Sequence, residues 1–311
     1  MVLSGPDAPR VLVTGASGFI GRQSLAPLLA RGFEVHAVSS RAAGADGGAV
    51  RWHHADLLDR GQALDLVGRV RPSHLLHLAW HVAHGAYWTA AENFHWVAAG
   101  LAILEGFRDH GGRRVVMAGT CAEYDWRDGG WCDELLTPAA PRTPYGVCKD
   151  AMRRLLEAFA GVSGLSAAWG RVFFLYGPGE PATRLLPSVV TSLLRDEPAR
   201  CSHGAQVRDF LHVADAGDAF AALLQSGVTG PVNIASGHPT TIEELVRRAA
   251  DLVGRPGLVR LGAIPAPPDE PPLLVARVGR LAREVGWTPR YDRDRGLADA
   301  VGYWRRRLAA R

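Results

Sequence analysis

The N-terminal half of the chain alternates short apolar runs with longer stretches in which apolar residues recur at helical spacing. Residues 19–32 follow the first apolar run, carry apolar side chains at helical spacing and end at Gly32. Strands that alternate with helices in this way predict an α/β fold built on a doubly wound parallel sheet. Six apolar runs are the predicted strands: 10–15, 33–39, 49–57, 74–80, 113–120 and 165–174.

The pattern changes near residue 176. Proline and glycine become frequent there, in runs such as YGPGEP and IPAPPDEPP, and the regular alternation stops. We therefore expect a Rossmann-like domain over residues 1–175 and a smaller C-terminal substrate-binding domain over residues 176–311. A later segment near 206–235 is expected to return to the first domain.

Composition excludes several classes of protein. The 311 residues are 47% hydrophobic and 21% charged, which is enough apolar surface for a full core. The first ten residues do not resemble an export signal, and apolar runs stay well short of a membrane span, so we predict a cytoplasmic protein. The formal charge is +4, but the arginines are scattered, and we expect no nucleic-acid partner.

Cysteine and histidine usage does not favour a metal site. The four cysteines show no metal-ligand spacing, and reduced thiols are the expected state. Five histidines cluster between residues 74 and 95: His74, His77, His81, His84 and His95. His74 and His77 would face opposite sides of one strand, so we predict no bound metal.

A glycine-rich turn joins the first strand to the first helix. Its sequence, TGASGFIG, places Gly15, Gly18 and Gly21 at three-residue intervals. Glycines at such a junction allow a tight turn and let a diphosphate approach the backbone and the positive end of the helix dipole. The pattern predicts a dinucleotide site, although glycines of this kind also serve packing alone.

The end of the second strand bears on which dinucleotide binds. An NAD site usually has a carboxylate there, whereas this chain has Ser39, Ser40 and Arg41, which suit a 2′-phosphate. The residues thus favour NADP(H), with NAD(H) as the alternative. Asp56 follows the third strand and is interpreted either as an acceptor for the adenine amino group or as a helix N-cap.

The only lysine of the chain lies four residues after a tyrosine. Lysine and arginine together number 35, and all but Lys149 are arginine. Tyr145 and Lys149 share one face at the start of a predicted helix. An ammonium beside a phenol favours the phenolate, so we expect a lowered pKa for Tyr145 and a role in proton transfer. A lysine can also donate to both hydroxyls of a nicotinamide ribose.

With these features in view, the chain resembles the extended short-chain dehydrogenase/reductases that act on nucleotide sugars. The resemblance runs through TGASGFIG, AGTCAEYDW, TPYGVCKD, RVFFLYGPGE, QVRDFLHVAD and VNIASGHPTTIEEL. It implies a catalytic set of Thr120, Tyr145 and Lys149. It also implies that Arg208 holds the substrate diphosphate and that Asn93 supports the active-site helix.

The predicted binding residues follow from the motifs and the resemblance together. The cofactor set comprises Gly15, Ser17, Gly18, Phe19, Ile20, Gly21, Ser39, Ser40, Arg41, Asp56, Leu57, Ala79, Tyr145 and Lys149. The substrate set comprises Trp80, Thr120, Cys121, Phe174 and Arg208.

Departures from the family pattern are informative. Phe174 replaces a common asparagine, and Trp80 replaces a small residue. Trp88, Trp96, Trp126 and Trp131 make the same region rich in indoles, which either wall a sugar pocket or pack in the core and at a subunit interface.

Four functions are compatible with these residues. The first is NADPH-dependent reduction of the C-4 ketone of a nucleotide-linked 4-keto-6-deoxyhexose, as in deoxysugar biosynthesis; a NAD-dependent nucleotide-sugar 4-epimerase is the alternative. A 4,6-dehydratase is disfavoured because Cys121 and Ala122 stand where family dehydratases have Asp-Glu. A dinucleotide-sensing protein would not need the catalytic set. The resemblance also leads us to expect a homodimer that pairs the helices near residues 88–107 and 145–160.

Overall fold

A seven-stranded parallel sheet forms the centre of the computed structural model, which describes residues 8–40, 48–83, 85–127, 129–266 and 270–310. With all strands numbered in chain order, its members are β1 (Arg10–Thr14), β2 (Glu34–Ser39), β3 (Val50–His54), β4 (His74–His77), β5 (Arg114–Thr120), β7 (Ser166–Val172) and β11 (Gly230–Ile234). Their spatial order is β11-β7-β5-β4-β1-β2-β3. Each of the six predicted apolar runs contains one of these strands, which confirms the predicted α/β class and parallel sheet.

Helices cover both faces of this sheet because its strands alternate apolar side chains between the two faces. Leu12 of β1 packs on one side, while Val11 and Val13 pack on the other. The first side is covered by α2 (Arg60–Val70), α3 (Glu92–Asp109) and α4 (Pro144–Ser163). The second side is covered by α1 (Gly21–Ala30) and α6 (Val213–Gln225).

A second, smaller sheet carries much of the C-terminal part of the chain. It contains β6 (Gly130–Cys132), β8 (Phe174–Tyr176), β10 (Val207–His212), β12 (Pro239–Thr241) and β14 (Leu273–Ala276). Three helices, α5 (Leu185–Leu194), α7 (Ile242–Val253) and α8 (Arg293–Ala309), share an apolar core beside it. The remaining elements are the strand pair β9 (Ala199–Arg200) and β13 (Val259–Arg260), the 3-10 turns Cys121–Glu123 and Pro256–Leu258, and the π-helical turn Arg280–Glu284.

The two sheets exchange segments of the chain. Within residues 206–235, α6 packs on the large sheet and β11 forms its edge, whereas β10 belongs to the small sheet. β6 lies early in the chain and nevertheless pairs with β14 in the small sheet. A division into two domains at residue 175 remains a proposal. In such a division β6 would belong to the C-terminal domain although it precedes residue 175, and α6 and β11 would belong to the N-terminal domain although they follow it.

Within the described residues, no helix combines the length and the apolar character needed to cross a bilayer.

Candidate active site

The glycine-rich turn lies at the carboxyl edge of the large sheet, between β1 and β4. Gly15 has a φ of +65°, and a Cβ there would lie 2.8 Å from the backbone nitrogen of Ala79. The N–H of Gly18 donates to the carbonyl of Gly15 at 2.9 Å, and α1 begins at Gly21. A side chain at Gly15 would therefore collide with the start of the segment after β4, which explains why the turn requires glycine.

Arg22 fixes this turn from the first residues of α1. Its guanidinium donates to the carbonyls of Gly18 and Ser17, both at 3.0 Å. Phe19 and Ile20 are half-buried at the same turn. Arg22 was not predicted from the sequence, since arginine is frequent in this chain and only the fold shows which carbonyls it reaches.

The predicted 2′-phosphate group of residues is only partly described. The Ser39 hydroxyl lies 3.1 Å from that of Ser17, which brings the end of β2 against the glycine turn. Ser40 follows it and is exposed. Arg41 lies outside the described residues.

Asp56 does not cap the following helix, so that interpretation is wrong. The N-cap of α2 is Asp59, whose carboxylate accepts from the N–H of Gln62 at 3.1 Å. Asp56 is exposed and accepts from the N–H of Leu58 at 3.0 Å, which makes a local turn before the cap. Leu57 beside it and Ala79 after β4 are buried.

The predicted catalytic side chains converge where β5 ends and α4 begins. Thr143 caps α4 by accepting from the N–H of Gly146 at 3.2 Å, and Pro144 occupies the first turn. This start directs Tyr145 and Lys149 inward, and both are buried. The Thr120 hydroxyl lies close enough to the Tyr145 phenol to oppose the rise of its pKa, and the Lys149 ammonium donates to the carbonyl of Ala118 at 2.7 Å.

The expected lowering of the Tyr145 pKa is not found. Burial raises the pKa of this phenol, and the Thr120 hydroxyl only partly opposes the rise. Burial also lowers the pKa of Lys149 to about 7, against the attraction of Glu123. An ammonium that is only partly charged near neutral pH stabilises a phenolate less, and the spacing of the two residues does not reveal how deeply they are buried.

Aromatic side chains enclose Tyr145. The rings of Tyr87 and Trp88 meet the Tyr145 ring edge-on, with centroids at 4.9 and 5.7 Å. Trp88 also meets Trp126, whose indole N–H donates to the carbonyl of Cys121 at 2.9 Å. The wall around Tyr145 is therefore built from side chains that also pack against the core beneath the sheet.

The remaining indoles of this region divide between core and surface. Trp96 stacks on Trp80 with centroids 6.4 Å apart, and both pack with the same core. Trp80 itself lies over the Lys149 ammonium. Trp131, by contrast, is 40% exposed, and the Arg277 guanidinium lies over its ring.

Glu123 is fully buried one turn beyond Thr120. Its carboxylate accepts from the N–H of Thr120 at 2.8 Å, from the indole of Trp169 at 2.9 Å and from Arg171 at 2.8 Å. Burial raises its pKa while Arg171 opposes the rise. These three bonds join β5 to β7 and hold the end of β5 in place. The sequence does not predict this role, because it depends on the pairing of the two strands.

The predicted substrate residues Phe174 and Arg208 come together on neighbouring strands of the small sheet. The Arg208 guanidinium lies 5.5 Å from the centroid of the Phe174 ring and donates to Glu270 at 2.7 Å. Its side chain is almost fully buried. Cys121 is buried as well, and burial raises the pKa of its thiol, which stays protonated. All four cysteines are buried free thiols.

A carboxyl that the sequence analysis missed lies on the turn after β8. Burial raises the pKa of Glu180 to about 8, and Arg184 partly opposes the rise. The Arg184 guanidinium in turn lies 5.7 Å from the centroid of the Tyr87 ring. The run YGPGEP is rich in glycine and proline and is therefore typical of an exposed loop, so the sequence does not indicate that this side chain is buried.

The histidines of β4 make structural contacts. His77 shares a hydrogen bond of 2.9 Å with the Thr14 hydroxyl, and His74 packs edge-on against Phe33. His84 lies outside the described residues. Among the residues that the structure describes, no three His, Cys, Asp or Glu side chains are grouped so as to hold a metal ion.

Asn93 lies in the first turn of α3 and is hydrogen-bonded to three other residues near the site. Its amide donates to the carbonyls of Tyr87 at 2.7 Å and Ala90 at 2.9 Å, and its oxygen accepts from the Trp80 indole at 2.8 Å. The side chain is completely buried. In this arrangement Asn93 contacts the aromatic wall and Trp80, whereas the resemblance implied support of the active-site helix.

The sequence is similar to those of proteins with known activity. The sequence model described as the NAD-dependent epimerase/dehydratase family matches residues 11–235. A UDP-glucose 4-epimerase from Rhizobium meliloti (strain 1021) is 27% identical over 308 residues, which cover 91% of this chain and 93% of the relative.

Solved structures share the fold over nearly the whole chain. UDP-glucose 4-epimerase from Thermus thermophilus in complex with NAD is 26% identical, with a TM-score of 0.82 and coverage of 95% of this chain and 99% of that one. MoeE5 in complex with UDP-glucuronic acid and NAD is 32% identical, with a TM-score of 0.82 and coverage of 96% and 99%.

Proposed function

Because the chain belongs to the NAD-dependent epimerase/dehydratase family, we propose that it is a nucleotide-sugar 4-epimerase that retains NAD. Its substrate in this proposal is a UDP-linked hexose. Relatives that are UDP-glucose 4-epimerases and structural neighbours with bound NAD support this function over NADPH-dependent ketoreduction, which the sequence analysis put first.

One observation carries the choice of chemistry: the site pairs Thr120 with Tyr145, and the next carboxylate along the chain is already engaged. Glu123 is bonded to Thr120, Trp169 and Arg171. Elimination of water from C-5 and C-6 needs an acid and a base beside the C-6 hydroxyl. Cys121 and Ala122 cannot supply them, which favours hydride and proton transfer at one carbon.

The glycine turn fits a dinucleotide. Gly15 lets the backbone pass within contact distance of Ala79, where a Cβ would collide, and the turn leads directly into the N-terminus of α1. Backbone N–H groups at a helix N-terminus bind a diphosphate well. When bound, NAD would accept the hydride from C-4 of the sugar and return it to that carbon.

Thr120 and Tyr145 act on the oxygen at C-4. The two hydroxyl groups are close enough for Thr120 to affect the pKa of Tyr145, which supports a site where both hold one substrate oxygen. Tyr145 takes the proton of the C-4 hydroxyl as the sugar is oxidised and gives it back as the ketone is reduced. A charged Lys149, one turn along α4, stabilises the phenolate that takes this proton and that re-forms when the proton is returned.

Arg208 is suited to the substrate diphosphate by its charge and its planar fork of donors. Its partner in the structure is Glu270, at 2.7 Å. We infer that the diphosphate replaces part of this contact when the substrate binds. Phe174 offers an apolar ring beside the same guanidinium and would pack against the sugar.

The test starts from the cofactor that co-purifies with the protein. Denatured enzyme is expected to release NAD, identified by mass, and the intact enzyme is expected to interconvert UDP-glucose and UDP-galactose, or the corresponding UDP-uronic acids, without net change in nicotinamide absorbance. Absence of interconversion with any UDP-hexose, together with absence of bound NAD, would contradict the epimerase.

The sequence motivates a second candidate, the NADPH-dependent reduction of a nucleotide-linked 4-keto-6-deoxyhexose. The observation in its favour is the end of β2, where Ser39 and Ser40 stand in place of a carboxylate. A reductase must exchange its cofactor at each turnover, whereas an epimerase retains it. Stoichiometric loss of NADPH on a panel of 4-keto-6-deoxysugars, with formation of a 6-deoxyhexose, would establish this function instead.

A further inference from the structure

The Lys149 ammonium occupies an aromatic enclosure. Its nitrogen lies 3.7 Å from the centroid of the Trp80 ring and 5.9 Å from that of Trp169. Its hydrogen bond to Ala118 uses one of three N–H groups. Both the lysine and Trp80 are buried, so water contributes little to the solvation of the charge.

The orientation of Trp80 is fixed by its polar edge. The indole N–H donates to Asn93 at 2.8 Å, and Asn93 is itself held by two backbone carbonyls. Trp96 stacks against the same ring. Because the Trp80 ring is already fixed, its contact with the ammonium costs no further side-chain entropy.

The face of an indole attracts a cation through its quadrupole, and the attraction is strongest where water is excluded. The other titratable groups around Lys149 act in different directions. Glu123 favours the charged lysine, but Arg171 already pairs with it. His77 lies on β4 near the lysine and is uncharged at neutral pH, because burial lowers its pKa to about 3, and Tyr145 is a neutral phenol.

We propose that Trp80 is a positioning residue for proton transfer: its indole face stabilises the charged form of Lys149 against the effect of burial and leaves the remaining N–H groups free to point at the cofactor ribose and Tyr145. The family resemblance leads one to expect a small side chain at residue 80, and a small side chain has no ring face to offer Lys149. The role in proton transfer rests on the proposed function, whereas the contact between Trp80 and Lys149 does not depend on any substrate.

The sole lysine of the chain makes a direct test available. Protein labelled with ¹³C and ¹⁵N lysine gives one side-chain signal, from Lys149, whose pH titration can be followed by NMR without turnover. In Trp80→Leu, loss of the ring face destabilises the ammonium, and the titration midpoint is expected to fall by about one pH unit. Trp80→Phe retains a weaker face and is expected to shift the midpoint in the same direction by less.

Trp131→Leu is the matched control, because it removes an indole that also faces a cation, but that cation is the Arg277 guanidinium and the indole is 40% exposed. Its midpoint is expected to equal that of the wild type. The pH dependence of kcat is expected to move with the Lys149 midpoint in the Trp80 variants.

The sign of the shift decides between two physical roles. If Trp80 acted only by excluding water, its removal would admit water and raise the midpoint. A raised or unchanged midpoint in Trp80→Leu overturns the proposal, and if that variant does not fold, an unchanged midpoint in Trp80→Phe overturns it. Failure of the epimerase assay with a lowered midpoint would refute the proposed function and leave the Trp80 contact intact.

Discussion

At the scale of single residues, Tyr145 is the group whose hydroxyl the proposed chemistry requires. Tyr145→Phe removes this hydroxyl and keeps the ring that packs against Tyr87 and Trp88. We expect turnover to fall by about 100-fold or more, because general acid–base catalysis contributes at least that factor. Steady-state kinetics on the productive nucleotide sugar measures the loss.

Cofactor content separates a catalytic loss from a structural one. The Tyr145→Phe enzyme is expected to retain nearly its full complement of bound nicotinamide cofactor. Tyr303→Phe on α8, whose hydroxyl accepts from Arg307 at 2.7 Å, is the control and should keep wild-type activity. More than about a tenth of wild-type kcat in Tyr145→Phe would exclude Tyr145 as the acid–base group.

Glu180 gives a prediction about stability and pH. Its folded-state pKa of about 8 lies above the ordinary value of 4.5, so the folded protein holds this proton more tightly than the unfolded chain. Its contribution to stability is complete below the ordinary pKa and is lost as the pH rises towards 8. Glu180→Gln has no proton to lose, and its stability relative to wild type is expected to rise by about 2 to 3 kcal/mol between about pH 6 and about pH 9.

Urea denaturation at the two pH values measures this difference. The titration of Lys149 affects both proteins alike and cancels in the comparison. Glu197→Gln, at an exposed carboxylate, is the matched control for the same change of side chain outside the core. A constant difference between Glu180→Gln and wild type would mean that the Glu180 carboxyl titrates normally.

The residue scale also shows what could be predicted from sequence and what could not. Gly15, Tyr145 and Lys149 were predicted because their spacing reflects contacts within one turn or one helix. Trp80 over Lys149 joins residues 69 positions apart, and no local pattern indicates it. The lowered pKa expected for Tyr145 was wrong because sequence spacing gives proximity but not burial.

At the scale of elements, Arg114 connects β5 to the end of α6. Its guanidinium donates to the carbonyl of Leu223 at 2.8 Å and to that of Val228 at 2.7 Å, and it also bonds the Ser166 hydroxyl at 2.7 Å. Burial lowers its pKa to about 10, so it stays charged at neutral pH. The last carbonyls of a helix lack partners within the helix, and Arg114 supplies them.

Arg114→Met removes these donors and leaves buried carbonyls unpaired. The free energy of unfolding is expected to fall by about 2 to 4 kcal/mol, as measured by urea denaturation. Its neighbour Arg113 is exposed, and Arg113→Met is expected to change stability by about 0.5 kcal/mol or less. Equal effects of the two substitutions would show that the bonds to α6 do not stabilise the fold.

Elements were predictable where a single period dominates the sequence. The six apolar runs of the first half each contain a strand, although every strand is shorter than its run because flanking residues turn into loops. The short strands β6 and β9 escaped prediction because two or three residues carry no period. Asp56 and Asp59 are both good caps in sequence, and only the path of the chain selects Asp59.

At the scale of the whole molecule, α3 and α4 pack together and leave apolar side chains exposed. Val147, Leu155 and Val162 follow one another along one side of α4 and are 47%, 39% and 86% exposed; Phe94 at the start of α3 is 60% exposed. An apolar surface of this kind is typical of an interface between protein chains. It coincides with the helices through which the sequence predicts a homodimer.

Leu155→Arg tests this assembly. In a symmetric dimer each copy contributes the same surface, so the substitution places two like charges in one interface, and we expect sedimentation velocity to report a dimer for the wild type and a monomer for the variant. Leu136→Arg adds the same charge at a side chain that is 82% exposed on the loop after β6, and should leave the mass unchanged. A wild-type monomer at tens of micromolar would contradict the homodimer. Because α4 carries Tyr145 and Lys149 on its buried side, pairing through its exposed side would also stiffen the helix that holds this proposed catalytic pair. Leu155→Arg is therefore expected to lower kcat by less than Tyr145→Phe, while cofactor binding persists.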